Sequence, residues 1–198
     1  MFPPSSYMRN INEKIILYRI RTKHDHEAFA ELYDKYVEKI YRFIYFKISH
    51  KHDAEDLTSE AFLKVWNYLT AKEDRKIQSF SGLIYGIARN NVIDWYRDRA
   101  KKPECGLDEN IVRQISIEPM RELDAKYDSN YLLKLIKTLK QEYREIVLLR
   151  YIEELPIKDI ALIVGKKKTA VRVVLHRAIK KLKSVNAFPY GEAGAQKK

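Results

Sequence analysis

Residues Ser79 to Lys102 read SFSGLIYGIARNNVIDWYRDRAKK. Phe80, Leu83, Ile84, Ile87, Ala88, Val92 and Trp95 recur at helical spacing, which predicts an amphipathic helix with those side chains turned inward. Ser79 or Ser81 can cap its start by accepting from first-turn amides. Pro103 ends it, because proline disfavours helix in the residue before it. The opposite face carries Tyr85, Arg89, Asn90, Tyr96, Arg97, Arg99, Lys101 and Lys102, and its only acids are Asp94 and Asp98. Rings stack on unpaired bases and cations neutralise phosphates, so this face suits single-stranded nucleic acid. A basic surface helix with half-buried tyrosines accounts for the same residues without a ligand.

The rest of the composition agrees with a nucleic-acid partner. The chain has 198 residues and a formal charge of +11, which favours polyanions. A hydrophobic content of 45% is enough for real cores, and six Gly with six Pro suits an all-helical chain of one or two small domains. The single cysteine, Cys105, excludes an internal disulfide framework and fits a reducing cytoplasm. It reads as an incidental thiol. No signal peptide is read in the first residues, and no uncharged apolar run is long enough to span a membrane. Neither a phosphate-binding Gly loop nor a nucleophile motif is present, so no cofactor and no enzyme activity are expected. His24, His26, His50, His52, Asp53 and Asp56 could be taken for a metal-hydrolase set, but these histidines fall at expected helix ends, where His is common.

Residues 1–10 read as a loose leader, followed by a short helix from an Asn12 cap to about Arg21 and a turn over Thr22 to Asp25. Asp25 caps a long helix to about Ile48, with Phe29, Leu32, Tyr33, Tyr36, Val37, Ile40, Phe43, Ile44 and Ile48 as its stripe. A third helix is expected from Asp53 to about Leu69. Its Asp53, Asp56 and Glu60 share one face, with Glu55 beside them. First-turn carboxylates are favoured by the helix dipole, yet such a cluster in a basic chain also suits docking on a positively charged protein.

From Lys101 to about Asp128 the periodicity fades. Pro103, Gly106 and Pro119 appear among Asp108, Glu109, Glu118, Glu122 and Asp124, which reads as an interdomain linker. Two amphipathic segments, 129–139 and 141–153, follow. Pro156 then suits a helix start, Gly165 a positive-φ turn, and a second helix follows. Ile157, Ile160, Ala161 and Val164 are expected inward in the first helix, and Val171, Leu175, Ala178, Ile179 and Leu182 in the second. No acid occurs between Gly165 and Lys183, against many Lys and Arg. A short helix, a Gly turn and a helix with a basic exposed side form a helix-turn-helix, read here as a DNA contact. The expected architecture is all-α: two small helical domains joined by a flexible linker, the second a helix-turn-helix. The boundaries are 1–102, 103–128 for the linker, 129–185, and a tail over 186–198, disordered from Ala187.

Three stretches resemble the extracytoplasmic-function (ECF) sigma factors, the small subunits that give bacterial RNA polymerase its promoter specificity. DAEDLTSEAFLKVW (Asp53 to Trp66) is similar to the family's core-polymerase-binding helix. LIYGIARNNVIDWYRDR (Leu83 to Arg99) is similar to its promoter-melting and minus-ten helix. The run from Leu139 to Leu182 is similar to its minus-thirty-five-binding region.

The resemblance implies that Asp53, Glu55, Asp56 and Glu60 dock on core RNA polymerase. It implies that residues 71–82 and the central helix hold the non-template minus-ten strand, with Tyr85, Arg89, Asn90, Tyr96 and Arg97 as candidates. It further implies that Lys167, Lys168, Thr169, Arg172, Val173, His176 and Arg177 meet the minus-thirty-five duplex. Catalysis would stay with the polymerase, in the cytoplasm, and an anti-sigma protein is a permitted partner. The chain departs from the family at Gly82, where many members carry Trp. It departs again at Lys166 to Lys168, where the turn is usually less charged, and at Ala170, which takes the place of a usual Thr. Val173 and Val174 fall where polar residues are usual, and exposed valines there suit either thymine methyl groups or a partner protein. A freestanding helix-turn-helix regulator is the alternative. It accounts for the last third of the chain but not for the acidic helix or the aromatic face.

Overall fold

A computed structural model describes residues 5–71, 77–101, 136 and 139–190. The chain divides into two compact units, Met1–Ile115 and Ser116–Lys198. The expected linker over 103–128, Cys105 within it, most of segment 129–139 and the last eight residues, 191–198, lie outside the described residues. Every regular element among the described residues is helical.

The N-terminal unit holds α1 (Ser5–Lys23), α2 (His26–Ile48), α3 (Lys51–Thr70) and α4 (Phe80–Ala100). Helix α1 is longer than expected: it begins at Ser5, so the leader is helical from there and Asn12 is no cap. Asp25 does cap α2, its carboxylate accepting from the Ala28 amide at 3.0 Å. Arg19 of α1 donates to the same carboxylate at 2.9 Å, which fixes the turn between the two helices. Helix α3 starts earlier than expected, behind a long 3.5 Å contact between the Asp53 amide and His50 Nδ1. Ser79 caps α4 by accepting from Gly82 N–H at 3.1 Å.

The core of this unit lies between α2, α3 and α4, with α1 against α2 and α3. Ile40, Phe43 and Ile44 of α2 meet Ala61, Val65 and Leu69 of α3 and Phe80, Ile84 and Ala88 of α4 in the buried set. Ring edges lock the junctions, Tyr36 on Phe80 at 5.0 Å and Phe29 on Trp66 at 5.0 Å. His26 stacks on Trp66 at 4.6 Å.

The C-terminal unit holds α5 (Gln141–Val147), a π-helical turn (Leu148–Ile152), α6 (Ile157–Ile163) and α7 (Lys168–Tyr190). The expected uniform segment over 141–153 is therefore interrupted. The Glu153 amide reaches back to Leu148 O at 3.1 Å, which widens the last turn. Glu154 then takes a positive φ of 54°. Pro156 sits just before α6, one residue earlier than expected. Asp159, Ile160, Ala161 and Ile163 are buried, whereas Ile157 and Val164 are only half-buried.

Gly165 has φ 65°. Its amide bonds Leu162 O at 3.3 Å while the Lys166 amide bonds Ala161 O at 2.9 Å. These paired back-bonds need a left-handed residue at Gly165, and together they close α6 and aim α7. Val171, Val174, Leu175, Ala178 and Leu182 bury one side of α7. Ile179 is half-buried rather than inward, and Val174, expected outside, is in the core. Helix α7 continues to Tyr190, so the tail expected from Ala187 is helical in its first part.

Candidate functional site

Three surfaces carry the candidate residues, and each follows from which helix face the core consumes. On α4 the core takes Phe80, Ser81, Ile84, Tyr85, Ala88, Asn91 and Val92. The buried face is rotated from the expected one: Leu83, Ile87 and Trp95 are only half-buried. Tyr85 is consequently not a surface residue. It is 0% exposed and sets its ring against Phe43 at 5.2 Å, T-shaped. Its register with Ser81, Ala88 and Val92 puts it inside, and a tyrosine ring supplies enough apolar area to be kept there. A base cannot reach Tyr85 in this fold, so it leaves the minus-ten set.

The other minus-ten candidates form two parallel lines, each with members two helical turns apart. Asn90 and Arg97 are exposed along the outer line. Arg89 and Tyr96 are half-buried along the shoulder. The Tyr96 hydroxyl donates to Lys47 O at 2.5 Å, and burial pushes its phenol above the usual value. Tyr96 thus ties α4 to the end of α2 and offers only part of its ring. Trp95 has its ring covered by the Arg99 guanidinium at 4.1 Å.

Asn91 was absent from the candidates and proves to be a structural hub. It is 2% exposed, its Oδ1 accepts from Lys64 Nζ at 2.7 Å and its Nδ2 donates to Leu57 O at 3.4 Å. Its place next to the Ala88 and Val92 register was the available signal. Of the pair Asn90 and Asn91, one faces out and one pins α3 to α4.

The acidic helix α3 is subtler than a row of free carboxylates. Glu55, Asp56 and Glu60 are exposed. Asp53 is partly shielded: its Oδ2 accepts from Arg99 at 2.9 Å, and His50 Nδ1 lies 3.1 Å away. Glu60 pairs with Lys64 at 2.7 Å along the helix, and His52 lies 3.7 Å from Glu55. Leu63, 60% exposed, sits one turn beyond Glu60 and adds an apolar spot to this surface. His50 and His52 each lie beside a carboxylate three residues on, Asp53 and Glu55 respectively.

On α7 the expected face is present. Lys167, Lys168, Thr169, Arg172, Val173, His176 and Arg177 are all exposed. The helix carries no acid from its start to Tyr190, so its charged side chains are all cationic. Lys166 in the turn pairs with Glu142 at 3.0 Å and holds α5 to the start of α7.

A helical unit with an acid-bearing helix, joined in sequence to a second unit with a cationic helix-turn-helix, defines a two-domain DNA-binding transcription factor. Comparison with known proteins gives the family. Residues 32–102 match the sigma-70 region 2 family and residues 129–182 match sigma-70 region 4. The chain is 32% identical over 178 residues to ECF RNA polymerase sigma factor SigW of Bacillus subtilis, covering 83% of this chain and 93% of that one. It is 29% identical over 157 residues to ECF RNA polymerase sigma factor BldN of Streptomyces coelicolor, covering 79% of this chain and 59% of that one. Among solved structures, CnrH in complex with the cytosolic domain of CnrY shares the fold at TM-score 0.63 and 19% identity, over 90% of this chain and 99% of that one.

The chain belongs to the ECF RNA polymerase sigma factors. Its two regions are those of a promoter-directing initiation factor, which removes the freestanding regulator as the reading of this chain. No helix among the described residues is long and apolar enough to cross a membrane.

Proposed function

We propose that the two units divide promoter recognition between them while α3 recruits the polymerase. Glu55, Asp56 and Glu60 offer exposed negative charge to a basic surface of core RNA polymerase, with Leu63 as the apolar centre of that contact. Asp53 serves the interface indirectly, by holding Arg99 and the end of α4 in place. Asn90 and Arg97, with Arg89 and the open part of Tyr96, take the non-template minus-ten strand. Pulling a base from the stack costs a few kcal/mol and helps select the sequence. Helix α7 enters the major groove at the minus-thirty-five element. The chain performs no bond chemistry, works where the polymerase is, in the cytoplasm, and is open to control by an anti-sigma protein. RpoE of Bartonella quintana, which shares the fold at TM-score 0.62, is known in complex with the anti-sigma factor NepR.

The observation that supports this reading most is the separation of charge: exposed acids on α3, an acid-free cationic helix on α7. The test is a double charge reversal, Asp56→Lys with Glu60→Lys, in the full chain. Holoenzyme formation with sigma-free core polymerase should be lost while the helical circular dichroism and duplex binding persist. Normal holoenzyme from that variant would remove α3 as the docking surface. Asp53 is left intact in this test, because a lysine there would face Arg99 and disturb the fold.

A further inference from the structure

Helix α7 carries an uncharged spot in the middle of its cationic face. Val173 is 48% exposed, whereas Val174 beside it is 9% exposed and belongs to the core. Side chains three and four residues apart share one side of a helix. Thr169 and Ala170 therefore stand one turn before Val173, and His176 and Arg177 one turn after, all exposed. The first two offer only a hydroxyethyl group and a methyl, so the apolar spot extends toward the start of the helix. That start is the part of a recognition helix that meets base edges. Val173 is β-branched and stiff at χ1, so its methyls are held in fixed positions.

Exposed valine by itself is ordinary. Its setting is not. Lys167, Lys168, Arg172 and Arg177 surround it, and the same helix carries no carboxylate. Charge complementarity commits this face to a polyanion, and in the major groove the apolar mark on a base pair is the thymine C5-methyl. We propose that Val173 is a specificity-determining residue that reads the methyl of one thymine in the minus-thirty-five duplex, while the surrounding cations position the helix on phosphates. This rests on the reading of α7 as the recognition helix.

Holoenzyme made from the full chain and core polymerase is used to select from duplexes randomised over the minus-thirty-five segment. Each thymine of the selected duplex is then replaced singly by deoxyuridine, which deletes only the methyl. At one position the replacement should weaken wild-type binding about fourfold, the worth of one buried methyl-sized group. The same replacement should have no effect on Val173→Ala, and an intermediate effect on Val173→Thr, which keeps one methyl. Because Val173 is exposed, neither variant threatens the fold. An equal deoxyuridine penalty in wild type and Val173→Ala overturns the proposal. So does loss of holoenzyme in Val173→Ala with unchanged thymine dependence, which would give the valine to a protein contact. If no common duplex sequence emerges at all, the recognition-helix reading fails, and this inference with it. That failure is distinct from a selected duplex whose thymines are indifferent to position 173.

Discussion

Helices α4 and α7 are both proposed to meet nucleic acid, yet they separate core from surface in different ways. In α7 the two demands use mostly different chemistry: Val171, Val174, Leu175, Ala178 and Leu182 go in, while Lys, Arg, Thr and His stay out, with Ala170 and Val173 the apolar exceptions. In α4 both demands use the same residue types. Tyrosine fills the core at Tyr85, braces α2 at Tyr96, and would also suit a base-stacking surface. Asparagine likewise faces out at position 90 and pins α3 at position 91. A helix whose function is charge can be read from composition. A helix whose function is shared with its packing must be read from register.

The sharpest way to break this contrast is Tyr85→Ala. Truncating a fully buried ring should cost about 3–5 kcal/mol of stability, seen as a lower urea midpoint for unfolding of the full chain. Tyr85→Phe keeps the ring against Phe43 and should retain most of that stability. If Tyr85→Ala instead melted like wild type and lost only promoter opening, the ring would have to be at the surface, and the contrast between the helices would collapse.

A smaller effect sharpens the α7 side. Val174→Ala removes buried methyls and should cost about 1–2 kcal/mol, whereas Val173→Ala should stay within about 0.5 kcal/mol in the same melt. Equal costs would mean that the two valines share one environment, against their 9% and 48% exposure. Register separates them: Val174 lies three residues after Val171 and four before Ala178, the spacing of one helix side, whereas Val173 lies two and five residues away.

That is also the measure of what could be read beforehand. Helices α2, α3, α4 and the helix-turn-helix were legible because long apolar periods and the caps at Asp25, Ser79 and Gly165 agree with one another. The start of α1 was not, since residues 5–12 offer little apolar period and no N-cap signal was read before Asn12. The π-helical turn at Leu148–Ile152 was also missed, because a single inserted residue leaves no mark in an apolar run such as IVLL. At the candidate site, the seven candidates on and just before α7 are exposed as expected, but Val174, expected outside, is buried and Ile179, expected inward, is half-buried. On α3 the carboxylates were legible as a patch, but the Arg99 contact that sets Asp53 apart comes from a distant part of the sequence.

The caps separate the helices once more, at lower energy. Ser79→Ala removes the hydroxyl that accepts from Gly82 N–H and should cost about 1 kcal/mol. Because α4 carries the minus-ten candidates, strand capture should weaken along with the melting temperature, and a variant that melts normally would show that packing alone sets the start of α4.

Asp25 caps α2 in the same way but with a charge, and its effect depends on pH. The Ala28 amide and Arg19 both favour the ionised carboxyl, the backbone bond most, so its pKa lies below the usual carboxylate value. A group with a lowered folded pKa stabilises the fold above its unfolded pKa, near 3.9, and loses that contribution as pH falls through the folded value. Asp25→Asn keeps a capping side-chain oxygen and removes the charge. The variant should therefore melt below wild type at a constant offset from about pH 5 to pH 7, and the offset should shrink toward zero as pH is lowered beneath about 4. High salt should narrow the gap at neutral pH, since the Arg19 pair is partly open to solvent. An offset that grew on acidification would mean that the carboxyl is held protonated, and the contacts to Ala28 and Arg19 would then have to be wrong.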